Sequence, residues 1–153
     1  MERRHLLIVY HSQTGHTQAM AEAVLRGAQK EEGVEVRIKR ALEAGLDDLL
    51  WADGVIFGTP ENFGYMSGAL KDFFDRTFYP AQGKVEGLPY AVFISAGNDG
   101  SGALFNIERI ARGYPLKPVA EPIIAKGELT EEALACCEEL GEAMAAGVAL
   151  GIF

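Results

Sequence analysis

At 153 residues, 48% of them hydrophobic, the chain has the size of one domain, 1–153, and enough apolar material for a proper core. A net charge of -8 and a sequence pI near 4.9 argue against nucleic-acid partners and against an anionic membrane surface. No apolar run approaches the roughly 20 residues of a membrane span, and Met1-Glu2-Arg3-Arg4 leads straight into a strand without a signal pattern, so the cytoplasm is the expected compartment.

The first apolar run, His5-Leu6-Leu7-Ile8-Val9-Tyr10, is unbroken, as in a strand buried on both faces. The loop Tyr10-His11-Ser12-Gln13-Thr14-Gly15-His16-Thr17 joins it to a helix whose Thr17, Met20, Ala21, Val24, Leu25 and Ala28 recur at helical spacing. Free amides at such a helix N-terminus favour an anion. Ser12, Thr14 and Thr17 bring three hydroxyls, and Gly15 admits close backbone approach. Helix capping by Ser12 or Thr14 accounts for the same residues equally well. His16 stands where a triphosphate-cleaving P-loop has its lysine, and no Gly-x-Gly-x-x-Gly follows the strand. The neutral cradle therefore suits a monophosphate held without cleavage. His11 and His16 flank it, and either can donate to a phosphate; for His11 an exposed loop position is the plainer reading.

After the first helix ends near Gly33, Val34 to Arg40 alternates apolar and charged residues, as an edge strand does. Leu46 to Ala52 is a short helical segment, with Trp51 expected in the core. Gly54 to Thr59 is a third, wholly buried strand, and Ser67 is placed to cap a helix carrying Leu70, Phe73, Phe74 and Thr77. Tyr79 to Pro89 reads as a connecting loop. Tyr90 to Ser95 is a fourth strand, followed by a loop and a helix through Leu104, Ile107 and Ala111. Val119 to Ala125 is a fifth strand, which Pro122 confines to an edge.

Thr130 opens the last helix, with Leu134, Cys137, Leu140, Met144 and Val148 as its buried stripe. The adjacent Cys136 and Cys137 form no loop-closing disulfide framework, and no Cys/His cluster has metal-ligand spacing. Five strands alternating with helices imply an α/β, doubly wound parallel sheet in the order 2-1-3-4-5. A ligand then belongs beyond the carboxyl ends of the strands, at the switch between strands one and three.

Ser12-Gln13-Thr14-Gly15-His16-Thr17 resembles the Ser/Thr-x-Thr-Gly-x-Thr phosphate loop of the flavodoxin-like FMN proteins. Gly58-Thr59-Pro60-Glu61-Asn62-Phe63-Gly64-Tyr65-Met66-Ser67-Gly68, continuing through Leu70 to Arg76, is similar to the branch of NAD(P)H-dependent FMN reductases and tryptophan-repressor-binding-protein-type quinone reductases. Ser95-Ala96-Gly97-Asn98-Asp99-Gly100 looks like that family's third, flavin-facing loop.

The resemblance implies FMN as cofactor. Ser12 through Thr17 would hold its phosphate, Pro60 to Gly64 would meet the ring with Phe63 in apolar contact, and Ser95 to Gly100 would border the other edge. Asn98 and Asp99 read equally as an Asx turn capping the next helix. No acid, base or nucleophile stands out, because a flavin carries the redox chemistry itself; no catalytic side chain is assigned. Glu61 stands where the quinone-reductase branch often has a neutral or basic residue. It reads either as a carboxylate beside the ring that lowers its potential, or as a solvated loop carboxylate.

The expected activity is oxidoreduction, with NAD(P)H as co-substrate and a flavin, quinone or similar small-molecule acceptor; a homodimer over the flavin edge would accompany it. The alternative is an electron carrier docking on redox proteins. Glu128, Glu131, Glu132, Glu138, Glu139 and Glu142, with no lysine or arginine from Gly127 onward, would steer such a carrier toward a basic partner or simply form a solvated face.

Overall fold

The computed structural model describes residues 2–153. In chain order its elements are β1 (Arg4–Tyr10), α1 (His16–Ala28), β2 (Val34–Arg40), α2 (Leu46–Trp51), β3 (Gly54–Asn62), β4 (Tyr65–Met66), α3 (Gly68–Ala81), β5 (Pro89–Ala96), α4 (Ser101–Gly113), β6 (Lys117–Pro118), β7 (Ile123–Lys126) and α5 (Glu131–Leu150). The sheet runs β2-β1-β3-β5-β6 with parallel pairing throughout; β7 also lies parallel on β5, and β4 folds back antiparallel on the end of β3. This is the expected order 2-1-3-4-5, drawn with seven strands instead of five. No helix among the described residues is long and apolar enough to cross a membrane.

The unbroken apolar run of β1 has a simple cause. Leu6, Ile8 and Tyr10 face the layer of α1 and α5, while Leu7 and Val9 face the layer of α2, α3 and α4, and all of these except Tyr10 are fully buried. β2 has only one neighbour, and its side chains from Glu35 onward are at least partly exposed. Between α1 and α5 the backbones nearly touch: a Cβ on Gly27 would lie 1.9 Å from the Glu138 carbonyl oxygen, and one on Gly141 would lie 2.0 Å from that of Val24.

Three boundaries depart from the expected ones. The fifth strand is split, with Val119 to Pro122 standing out of register opposite Ala91 and Val92. Pro118 and Pro122 have no N–H to give the ladder, so a continuous strand cannot form there. β3 extends three residues past Thr59 because Glu61 and Asn62 pair with Met66 and Tyr65. α3 runs through Tyr79 and Pro80 to Ala81, where the expected loop begins only afterwards; a proline in a last turn forfeits little of the helical ladder.

Trp51 also departs from expectation. It is half-buried at the rim of the core, stacked on His5 at 4.2 Å between ring centroids, with the Arg37 guanidinium 3.9 Å from its centroid. Nearby, the buried Asp48 carboxylate accepts from the Gly45 amide at 2.9 Å and from Arg37 at 2.9 Å, and Lys39 lies 3.0 Å away. Burial opposes its charge, but the Gly45 amide, Lys39 and Arg37 together outweigh that and hold its carboxyl below the ordinary value.

A lowered folded pKa means that the unfolded chain binds the proton more readily. Asp48 therefore adds stability above the unfolded carboxyl value, and that stability is lost as pH falls through the folded one. Asp48→Asn is expected to cost about 2 kcal/mol in urea unfolding at pH 7, short of a fully buried pair because both cations keep partial solvent contact. The deficit should shrink as the pH is lowered through the acid range.

Cys137 is fully buried on the α5 stripe, and burial pushes its thiol up to about 12, whereas Cys136 is exposed. The native protein is expected to give one equivalent of reactive thiol to a thiol-disulfide reagent at neutral pH, and the second only on unfolding. The acidic face of α5 is partly answered from outside it: Lys30, in the turn after α1, reaches Glu138 at 2.7 Å and Glu142 at 3.3 Å.

Candidate functional site

β1, β3 and β5 run parallel, so their carboxyl ends and the segments that follow share one rim. Ser12 to Thr17, Pro60 to Gly64 and Ser95 to Gly100 all lie there. In the first segment, Ser12 Oγ accepts from the amides of Gly15 (3.2 Å) and Gln18 (3.1 Å), so Ser12 does cap α1. Because that oxygen accepts twice, the hydroxyl proton remains for a further acceptor. Gly15 turns the chain with φ 102°, a left-handed conformation that glycine adopts without steric cost. Among the described residues the amides of His16 and Thr17 have no acceptor within the chain, as is general for a first helical turn.

Thr17 is buried, and its hydroxyl pairs with Ser95 Oγ at 2.7 Å. Its oxygen is therefore shared with the end of β5 and is not an open third hydroxyl like that of the exposed Thr14. His11 is half-buried; burial, and then the charge of Arg40, lower its pKa below the ordinary histidine value, which favours a neutral imidazole at the rim.

The second segment is a two-residue hairpin. Asn62 pairs with Tyr65, and both residues between them have positive φ, Phe63 at 53° and Gly64 at 71°, the signature of a type I′ turn. Phe63 projects entirely into solvent. A phenylalanine in the left-handed region is an outlier of the kind that collects at functional rims. Buried Thr59 fixes the base of the segment, donating to the Pro60 carbonyl (2.8 Å) and accepting from the Ser67 amide (2.9 Å).

Glu61 is engaged within the chain and is not simply a solvated loop carboxylate. Its carboxylate accepts from the amides of Gly100 (3.2 Å), Gly102 (3.0 Å) and Ala103 (3.2 Å), at the N-terminus of α4. The half-buried carboxylate supplies what the α4 N-cap, Gly100, lacks, a side chain to cap the helix. The remaining first-turn amide, Ser101, goes to Asp99 Oδ1 at 3.0 Å, so the Asx-cap reading holds for Asp99. That amide, with the Ser101 hydroxyl, also lowers the Asp99 pKa. Asn98 stays exposed.

Two features of the rim were not singled out from the sequence. Gly102 has no room for a Cβ, which would lie 1.9 Å from the Gly64 carbonyl oxygen. Gln13 Oε1 accepts from Asn62 Nδ2 at 2.7 Å, tying the first segment to the second. For Gly102 a signal was present in Gly100-Ser101-Gly102-Ala103, a helix start with a glycine where a neighbour passes closely; the Gln13–Asn62 bond had no local signal.

The flavodoxin family model matches residues 8–107. The flavodoxin of Aquifex aeolicus is 42% identical over 97 residues, which cover 63% of this chain and 52% of that protein. An NAD(P)H dehydrogenase (quinone) of Acidithiobacillus ferrooxidans is 36% identical over 118 residues, covering 63% of this chain and 59% of that protein. The chain thus spans only a little over half the length of these curated relatives. Among solved structures, a flavodoxin from the domain Archaea superposes with a TM-score of 0.80 at 28% identity, covering 94% of this chain and 98% of the other. With a family match across most of its length and the rim geometry above, the chain belongs to the flavodoxin family.

Proposed function

We propose that the chain binds FMN at this rim and works as a flavin-dependent oxidoreductase that draws electrons from NAD(P)H and delivers them to a quinone, flavin or similar small-molecule acceptor. The observation that carries the FMN part is the first segment. The uncommitted amides of His16 and Thr17, the Ser12 hydroxyl proton and the positive end of α1 together suit a phosphate monoester, and no fixed cation is required. Residues Pro60 to Gly64 and Ser95 to Gly100 are then the borders of the ring site, with Phe63 as its apolar contact.

When bound, the flavin supplies the electron and hydride chemistry. The chain's residues bind its phosphate, orient the ring and set how far water and partners approach. His11, kept neutral, contributes a hydrogen-bonding group at the phosphate end without a full charge.

The NAD(P)H part rests on the resemblance of Gly58 to Arg76 to the reductase branch and on the quinone-dehydrogenase relative. A second reading, a one-protein electron carrier, is favoured by the flavodoxin relatives. Anaerobic mixing of the FMN-loaded protein with NADPH, and separately with NADH, decides between them. Bleaching of the flavin absorbance within seconds is the expected result. Bleaching by dithionite alone would make the chain a carrier.

A further inference from the structure

Three side-chain links join the three rim segments pairwise: Gln13 to Asn62 between the first and second, Thr17 to Ser95 between the first and third, and Glu61 to Gly100, Gly102 and Ala103 between the second and third. The links close a ring around the rim, and the third is the strongest of them. A carboxylate that accepts three backbone N–H groups at a helix N-terminus gains from charge-assisted bonds and from the helix dipole.

Beyond the core contacts of Tyr65 and buried Met66 at its base, the tip of the second segment has little else to hold it. β4 is two residues long, and an isolated two-stranded hairpin of that size is not stable by itself. Its turn keeps Phe63 in the left-handed region with the ring fully in solvent, so no packing of that side chain offsets the unfavourable backbone. On the far side the Gly64 backbone lies against Gly102 at a distance only glycine permits. Such a turn persists when its surroundings fix both ends: the Glu61 carboxylate and the Asn62 amide do so on the β3 side, and Tyr65 with buried Met66 on the β4 side.

We propose that Glu61 is the positioning residue of the flavin site: fastened to the N-terminus of α4, it holds the Asn62-Phe63-Gly64-Tyr65 turn in its ring-binding form before any cofactor arrives. This rests on the FMN reading above. Because three α4 amides hold its carboxylate in place, Glu61 acts by fixing the geometry of the turn. It orders the segment that meets the ring and bonds to no residue of the phosphate segment, which the turn reaches only through the exposed Asn62–Gln13 bond. Its loss must therefore weaken FMN and riboflavin alike.

The test compares wild type, Glu61→Ala and Glu61→Gln in two ways. Amide hydrogen exchange on the flavin-free proteins reads the turn itself; FMN and riboflavin fluorescence titrations read the site. In Glu61→Ala the amides of Gly102, Ala103 and residues 61–66 are expected to exchange at least about tenfold faster, and affinity for both flavins to fall by a common factor of about ten. Glu61→Gln, which keeps one accepting oxygen but neither the charge nor the second, should recover part of both losses and serves if the alanine protein folds poorly. Unchanged exchange in Glu61→Ala overturns the proposal. So does faster exchange with unchanged flavin affinity, or a loss confined to FMN. A wild-type protein that takes up neither flavin overturns the FMN reading itself, an outcome distinct from these.

Discussion

Gly141→Ala is expected to destabilise the protein by about 3 kcal/mol or more, lowering Tm by about 10 °C. The new methyl would lie 2.0 Å from the Val24 carbonyl oxygen and 2.9 Å from the Ala28 amide nitrogen. Both are backbone atoms of α1, so no side-chain rotamer can make way. α1 and α5 would have to move apart, opening the layer in which Met20, Val24, Cys137 and Met144 are fully buried. A useful control is Gly113→Ala at the end of α4. There the nearest atom is 3.7 Å away on the Phe78 ring, so stability should stay within about 1 kcal/mol of wild type. Urea unfolding of the two variants measures the contrast. Equal midpoints would mean that the α1–α5 contact is looser than described.

Ser12→Asp is expected to reduce FMN affinity by at least about 100-fold, about 2.7 kcal/mol, while leaving riboflavin affinity near that of wild type. Ser12 Oγ already accepts from the Gly15 and Gln18 amides, so a carboxylate there would sit on the α1 N-terminus and satisfy the same donors. It would be favoured by the helix dipole, leaving fold stability unchanged or slightly raised. A phosphate would then meet a resident negative charge in place of a hydroxyl donor. This selectivity separates a lesion at the phosphate end from one at the ring end, where Glu61→Ala lowers both flavins together. An equal loss for FMN and riboflavin in Ser12→Asp would show that residues 12–17 do not hold the phosphate.

The sheet order was legible because burial dictates composition. β1, β3 and β5 are covered on both faces and read as apolar runs, whereas β2 alternates because it has one neighbour. Ser67 and Thr130 were recognisable as caps because each serves an amide three residues ahead. Two of the three misread boundaries involve proline, whose effect depends on position: Pro80 is accommodated in a last turn, while Pro118 and Pro122 break a strand that a hydrophobic pattern alone would draw as continuous; the third, the longer β3, comes from its pairing with β4.

At the site, the residues of all three rim segments were identifiable from local motifs, but their mutual contacts were not. The partners of Glu61 lie 39 to 42 residues farther along the chain, and those of Thr17 and Gln13 farther still. The hold of α4 on the Glu61 carboxylate was thus not legible from its loop. The same holds for Lys30, whose salt bridges to α5 depend on a helix–helix contact that no local pattern announces.

Whether residues 12–17 form a phosphate site for FMN is decided by titrating the flavin-free protein with FMN and with riboflavin and following flavin fluorescence. FMN is expected to bind at least about 100-fold more tightly than riboflavin, since the free amides of His16 and Thr17 and the Ser12 proton serve only the phosphate. Equal affinities, or no binding of either flavin, would contradict the assignment.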